Sequence, residues 1–341
     1  MSLVDETFER LSAIPQSTVL RNIPLARYTR FGIGGPADLF FETADADNFI
    51  EALRIARVSG LASVVIGGGT NLIVADAGYR GIVLRLTNRA MRATGETVYV
   101  ESGAVLQNLV DFTVDQGLKG LDTMTGIPGF TGAAIYGNAG AYGHSIAERL
   151  SRVRFFDGTG IREIGNPECR FQYRESIFKR NKSWIILSAD IALDRADAQA
   201  LRQGADKILD IRNKKYPPTM KCAGSIFKNF LAANLPADVL SQIPEKVIIE
   251  GKVPSAWFLE QVNAKGMLRG DIQVAEYHAN LIYNDGAGSS DDLLAVVTEL
   301  KERVAERWGI PLEEEVQYVG FSLKSDAIPL AAVWREAHKR L

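Results

Sequence analysis

DTMTGIPGFTGAAIYGNAGAYG, residues 122–143, carries glycine at positions 126, 129, 132, 137, 140 and 143, with Ala133, Ala134, Ala139 and Ala141 between them. Such a run removes side chains where the backbone must come close to something flat or charged. Ile127, Phe130, Ile135 and Tyr136 alternate through it in an ordered way, unlike a floppy linker, which would be polar and rich in serine. It holds no nucleophile–base pair. The expectation is a surface that lies against a large ligand and offers it backbone N–H groups.

A second glycine loop stands upstream. LASVVIGGGTNLIVADAGYRGIVLRLT reads as a buried strand, the loop Gly67–Gly68–Gly69–Thr70–Asn71, and another strand. A Rossmann fingerprint needs strand, G-x-G-x-x-G and then a helix facing the pyrophosphate. Here Asp76, Gly78 and the next strand follow at once, leaving no room for a crossover helix. The loop is either a tight β-turn or a cradle whose own N–H groups, with Thr70 and Asn71, hold phosphates; GGG followed by Thr-Asn favours the cradle.

Composition narrows the class. With 341 residues, two or three domains are expected. The apolar share of 46%, the charged share of 23% and the net charge of −2 describe a soluble globular chain with no global field for nucleic acid or an anionic membrane. The start is acidic and amphipathic without an apolar signal core, and no run is apolar enough to span a bilayer, so a cytoplasmic protein is expected. Cys169 and Cys222 read as buried free thiols in a reducing compartment. Three histidines, His144, His278 and His338, leave little material for a metal site or a catalytic triad, and no metal is expected.

Along the chain, strands are expected in ADLFFE, GETVYVESG, RLSRVRFFDGTGIREI (with an Asp-Gly turn) and WIILSADIAL, and helices after Asp45, in AVLQNLVDFTVDQG and in DAQALRQGADKILDIRNKK. Pro217-Pro218 marks a domain break. Beyond it TMKCAGSIFKNF reads as a loop, SAWFLEQVNA and SSDDLLAVVTELKERVAERWG as helices, and ANLIYN and EEEVQYVG as strands, which is an α+β unit with a small antiparallel sheet. The tail could be one more helix.

Three patches hold polar groups in unusual settings. In FQYRESIFKRN, Arg174 could clamp a carboxylate or simply form a surface ion pair. In AGSIFKN, Ser225 has no histidine near it in sequence and does not sit in a G-x-S-x-G elbow. In PLEEEVQYVG, Glu313 and Glu315 alternate with Glu314, as on a strand with a solvated acidic edge.

No patch is decisive alone. In this order, TRFGIGGPAD, VIGGGTNLIV, GIPGFTGAAIYGNAGAYG, FQYRESIFK, AGSIFKN, HANLIYN and LEEEV resemble the UDP-N-acetylenolpyruvoylglucosamine reductases, flavoenzymes of peptidoglycan precursor synthesis. The resemblance implies an α+β fold: an FAD-binding domain of the vanillyl-alcohol-oxidase type in two subdomains, residues 1–85 and 86–218, then a substrate domain over 219–325 and a tail over 326–341. It implies non-covalent FAD held by Gly67, Gly68, Gly69, Thr70, Asn71, Gly126, Ile127, Pro128, Gly132, Ala133, Asn138, Gly140, Ala141 and Tyr142, with NADPH as co-substrate. Ser225 resembles the proton donor, and Arg174 and Glu315 the pair that polarises the substrate carboxylate. Tyr173, Arg212, Lys215, Lys228, Asn229, Asn284 and Asp285 resemble contacts to the UDP-sugar. A monomer is expected. Three residues depart from the family pattern: Ala133 where glycine is frequent, Gln317 where arginine is common and Phe230 where proline is usual. The short interval between Arg174 and Ser225 resembles the class without a tyrosine-bearing substrate loop. The alternative is another FAD-dependent oxidase or dehydrogenase of the same fold, many of which tether FAD through His or Cys; neither occurs in the two glycine loops.

Overall fold

The computed structural model describes residues 2–321; the expected tail helix lies outside the described residues. The chain divides into two compact units. The first takes the residues up to Ile23, then Ala37–Thr70 and Tyr79–Thr219. The second takes Pro24–Pro36, Asn71–Gly78 and the chain from Met220 onward. Two short segments therefore belong to the second unit although the sequence around them belongs to the first.

Two larger sheets organise the first unit. In one, Pro36–Thr43, Tyr79–Leu86 and Ser63–Ile66 run parallel. The helix Ala46–Val58 is capped by Asp45, whose carboxylate accepts from the Asn48 amide, one of the donors a helix leaves unsatisfied at its start. Its buried residues Phe49, Ile50, Ala52 and Ile55 join Leu39, Phe41, Ile82 and Leu84 in one core. The second sheet is five-stranded and antiparallel, in the order Ile161–Gly165, Leu150–Phe156, Ile185–Ala192, Thr97–Glu101, Met91–Thr94. The Asp-Gly turn forms as expected, with Asp157 Oδ1 accepting from the Thr159 and Gly160 amides. The helices Leu106–Asp115 and Ala198–Lys215 and the short helix Thr131–Tyr136 belong to the same part of the unit, whose core includes Leu109, Val110, Ile135, Val153 and Phe178. Cys169 and Cys222 are both buried free thiols, and burial pushes the Cys169 thiol up to about 12.

The second unit is built on a four-stranded antiparallel sheet: Lys221–Ser225, Leu281–Asn284, Ile272–Val274, Leu268–Arg269. The helix Ser290–Trp308 starts at Ser289, whose hydroxyl caps the Asp292 amide, and ends at Gly309 in the left-handed region. It buries Leu293, Val296, Val297, Leu300 and Val304 in a core that also takes Phe31, Ile33 and Ile73 from the two early segments. TMKCAGSIFKNF is not the loop expected, because Cys222 and Ala223 are buried on the first strand of the sheet and Gly224, at φ +79, turns the chain at a bulge before Ser225. EEEVQYVG is shorter as a strand than expected. Only Gln317–Val319 is extended, and it pairs in parallel with Leu72–Val74.

Candidate active site

In the first unit the two glycine loops meet. A Cβ on Gly68 would lie 3.0 Å from Gly129 Cα, and one on Gly67 would lie 3.5 Å from the Ala133 methyl. The Thr70 hydroxyl donates to the Pro128 carbonyl at 3.2 Å. Arg85 supports the junction: its Nε donates to the Gly67 carbonyl at 3.2 Å, its guanidinium pairs with Glu42 at 2.7 Å, and it lies 5.0 Å from the Phe130 ring centre. A small cavity beside Phe130 is lined by Thr87, Arg89, Met91, Gly103 and Asn108.

The long glycine stretch does not offer its amides as freely as expected. Gly126 N donates to Gln107 Oε1 at 2.6 Å, and the amides of Thr131 and Gly132 donate to Ala104 and Ser102 carbonyls at 2.8 Å. Those of Ile127, Ala134, Gly137, Asn138 and Ala139 also bond within the stretch and its flank. The glycines there chiefly let backbones approach: a Cβ on Gly132 would stand 2.7 Å from Ser102 Cβ, and one on Gly126 would stand 2.9 Å from Arg212 Cδ. Ala133 is exposed, so its methyl group needs no room in the core.

Arg174 occupies a turn of four residues. Gln172 and Glu175 exchange both backbone hydrogen bonds at 3.1 Å, which leaves Tyr173 and Arg174 as its two central residues. Arg174 has φ +56, a place where glycine or asparagine is usual, at a cost of roughly 1–2 kcal/mol for an L side chain. Its guanidinium donates to the carbonyl of Gly140 at 3.2 Å, reaches that of Asn138 at 3.5 Å, and lies 5.2 Å from the Tyr173 ring centre. Asn138 is buried, its amide donating to the Gln172 carbonyl at 2.8 Å and its Oδ1 accepting from the Ala147 amide at 3.4 Å. It thus ties the glycine stretch to the Arg174 turn. Burial, and after it the Glu175 carboxylate, hold the Tyr136 phenol above its ordinary range.

At the end of the helix Ala198–Lys215, Arg212 and Lys215 both lie over the Tyr216 ring, 5.7 and 5.3 Å from its centre. Tyr142 is exposed at the tip of the small hairpin Gly140–Ser145, also with positive φ, +53.

The second unit brings Ser225, Lys228, Asn229 and Glu315 into one neighbourhood. Asn280 is buried and grips Phe227 from both sides, its Oδ1 accepting from the Phe227 amide at 2.9 Å and its Nδ2 donating to the Phe227 carbonyl at 2.8 Å. On the other flank, Glu315 N donates to the Ile226 carbonyl at 2.7 Å and Lys228 N to the Glu313 carbonyl at 2.9 Å. The side chains of the first two glutamates diverge: Glu313 takes Lys228 Nζ at 2.6 Å and Glu314 takes Lys301 at 2.9 Å. Asn71 Nδ2 donates to the Glu315 carbonyl at 3.0 Å and Gln317 N to the Asn71 carbonyl at 2.9 Å, so the last residue of GGGTN holds the Glu315 backbone. Asn229 Oδ1 accepts from the Ser255 amide at 3.2 Å, and the Ser255 hydroxyl donates to the Lys228 carbonyl. Asn280 and Ser255 escaped the sequence reading. HANLIYN is recognisable as a motif, but only the bonds show what Asn280 does, and nothing in SAWFLEQ marks its serine.

Asn284, expected at the nucleotide end of the substrate, closes the strand Leu281–Asn284. It is buried, its Oδ1 accepts from the Gly286 and Gly288 amides at 3.1 and 3.0 Å, and its Nδ2 donates to the Phe31 carbonyl at 3.4 Å, so it shapes its own loop. Asp285 beside it is exposed. Among the described residues no group of three metal-ligating side chains occurs, and no helix is long and apolar enough to cross a membrane.

The residues fit a dinucleotide cofactor in the first unit: partly exposed glycine backbone at Gly67 and Gly68, Thr70 beside it and a cavity next to Phe130 lined in part by Arg89. Residues 37–165 match the model of the FAD binding domain, and residues 216–319 that of the UDP-N-acetylenolpyruvoylglucosamine reductase C-terminal domain. The fold and site are therefore those of an FAD-dependent oxidoreductase. A UDP-N-acetylenolpyruvoylglucosamine reductase of Solibacter usitatus is 59% identical over 91% of this chain and all of its own length. One of Rubrobacter xylanophilus is 36% identical over 87% of this chain and 94% of its own. The crystal structure of the Thermus caldophilus enzyme superposes with a TM-score of 0.70 at 26% identity, covering 89% of this chain and 99% of that one. The chain belongs to the UDP-N-acetylenolpyruvoylglucosamine reductase family.

Proposed function

We propose that Ser225, Arg174 and Glu315 carry the reduction of UDP-N-acetylglucosamine enolpyruvate to UDP-N-acetylmuramate, the step that supplies this peptidoglycan precursor. FAD, held at the glycine loops around Gly67, Gly68 and Thr70, would supply the redox chemistry that links NADPH to C3 of the enolpyruvyl group. Negative charge then develops on C2 and the adjoining carboxylate. Cationic and hydrogen-bonding groups on that carboxylate, with a proton donor at C2, are what the reaction requires of the chain.

Arg174 polarises the carboxylate, and Glu315 acts with it. Ser225 Oγ gives its proton to C2. A serine hydroxyl is a weak acid, so placement against the nascent charge, more than its pKa, supplies the rate. The observation that carries this reading is the bond from Glu315 N to the Ile226 carbonyl, which sets Glu315 beside the strand end that presents Ser225. Lys228, nine-tenths buried, and Asn229 serve the substrate at the same strand end, while Arg212 and Lys215 serve the diphosphate. Tyr173 and Asp285 contact the UDP-sugar. FAD is held without a covalent bond, as neither His nor Cys, the usual tethers, occurs in the two glycine loops. The enzyme works as a cytoplasmic monomer.

Arg174→Ala and Glu315→Gln are expected to leave reduction of the flavin by NADPH within about twofold of wild type. Reoxidation by substrate should slow roughly a hundredfold, as for other losses of a group that stabilises developing charge. Stopped-flow absorbance of each half-reaction checks this. Reoxidation at the wild-type rate in both variants would remove these residues from the mechanism.

A further inference from the structure

Arg174 stands in a backbone conformation that arginine rarely adopts, and the structure shows what holds it there. Lys179 Nζ donates to the Arg174 carbonyl at 2.9 Å and to Glu175 Oε1 at 3.2 Å, and its side chain is only 16% exposed. Lys179 is itself anchored. It sits on the short helix Ile177–Arg180, where Ser176, fully buried, accepts from the Lys179 amide at 3.2 Å and donates its hydroxyl to the Tyr136 carbonyl at 2.7 Å. The ammonium therefore comes from a helix fixed to the glycine stretch, the same element whose Gly140 carbonyl receives the Arg174 guanidinium.

We infer that Lys179 is a positioning residue for Arg174: its ammonium fixes the Arg174 carbonyl and so keeps the turn in the left-handed conformation that aims the guanidinium. The inference rests on the reading of Arg174 as the residue that polarises the substrate carboxylate. Without the bond to Lys179, the disfavoured φ at Arg174 loses the contact that fixes its carbonyl, and the turn relaxes toward ordinary backbone angles. Relaxation swings the guanidinium away from its aim, and displacement by about 1 Å can cost up to a hundredfold in rate. The ion pair with Glu175 is secondary, because the carboxylate meets the ammonium and not the Arg174 carbonyl that sets the turn.

The test uses the flavin-loaded enzyme and measures both half-reactions. Lys179→Met is expected to keep its flavin and its rate of reduction by NADPH, while reoxidation by UDP-N-acetylglucosamine enolpyruvate slows by about tenfold or more. Glu175→Gln, which leaves the ammonium–carbonyl bond in place, should reoxidise within about threefold of wild type. In an Arg174→Ala background, Lys179→Met should cause no further slowing, because its effect passes through Arg174. Should Lys179→Met not fold, Lys179→Gln, too short to reach the carbonyl, is read in the same way. Wild-type reoxidation in the Lys179 variant, or full additivity in the double variant, overturns the inference while Arg174→Ala remains slow. Arg174→Ala that reoxidises normally would instead overturn the reading beneath it.

Discussion

Ser225→Ala is expected to bleach with NADPH at close to the wild-type rate and then to stay reduced in the presence of substrate. The loss in reoxidation should be between about a hundredfold and ten-thousandfold, the range that a placed general acid contributes. The split between half-reactions follows from the position of the hydroxyl. Ser225 ends a strand of the second unit, after the bulge at Gly224 and opposite Leu281, and belongs to none of the glycine contacts that shape the cofactor surface in the first unit. A side chain that acts only on the proton at C2 has no part in hydride transfer from NADPH. Rapid mixing of the pre-reduced variant with substrate reads the rate directly. If both half-reactions slow equally, the serine has a general structural effect and the assigned role is lost.

The second large effect is on stability. Gly78 has φ +80, and a Cβ there would stand 2.0 Å from the Pro36 carbonyl oxygen, backbone that has no rotamer through which to move. Gly78→Ala therefore combines the cost of a left-handed L residue, roughly 1–2 kcal/mol, with an overlap of the kind that costs about 1–3 kcal/mol in a packed core. A loss of about 3 kcal/mol or more should lower the unfolding midpoint by roughly 5–10 °C. Gly60 provides the control. It has nearly the same φ, +76, but a Cβ there meets nothing within 4 Å, so Gly60→Ala should lose only the conformational part. Equal midpoints for the two variants would show that the overlap relaxes without cost.

Gly78 matters because it lies in one of the two segments that the second unit takes from the early sequence. Those segments are held by backbone bonds: Leu25 N to the Gly35 carbonyl, Gly35 N to that of Ala75, and Ala75 N to that of Val319. Asp76 and Ser290 add a reciprocal clasp, the Ser290 amide donating to Asp76 Oδ2 at 2.6 Å and the Ser290 hydroxyl accepting from the Asp76 amide at 3.0 Å. Backbone bonding of this kind leaves no periodicity in the sequence, so a reading by motif and break assigns the chain in contiguous blocks. Where side chains carry the signal, the reading fares better. Asp45 before an amphipathic run gives the helix Ala46–Val58, Ser289 with Asp292 gives the start of Ser290–Trp308, and Asp-Gly at 157–158 gives the hairpin.

The same contrast runs through the site. The glycine loops are legible because side chains are missing from them, but their reason is partly different from the one expected. In the 126–143 stretch the amides largely serve the fold, and the glycines admit Ser102 and Arg212 to close quarters. Asn71, Asn138 and Asn284 look alike as polar residues beside glycine, yet each has a side-chain amide that donates to a backbone carbonyl: Glu315, Gln172 and Phe31. An asparagine that binds a ligand and one that shapes a turn have the same letter and the same neighbours. Only the partner separates them.

The central claim is that this chain passes reducing equivalents from NADPH through bound flavin to the enolpyruvyl ether, and an anaerobic two-step titration of the wild-type enzyme tests it most directly. NADPH should bleach the flavin, and UDP-N-acetylglucosamine enolpyruvate added without oxygen should restore the oxidised spectrum within the mixing time of a turnover. A flavin that bleaches and then remains reduced until oxygen enters would contradict the account and point to a different acceptor.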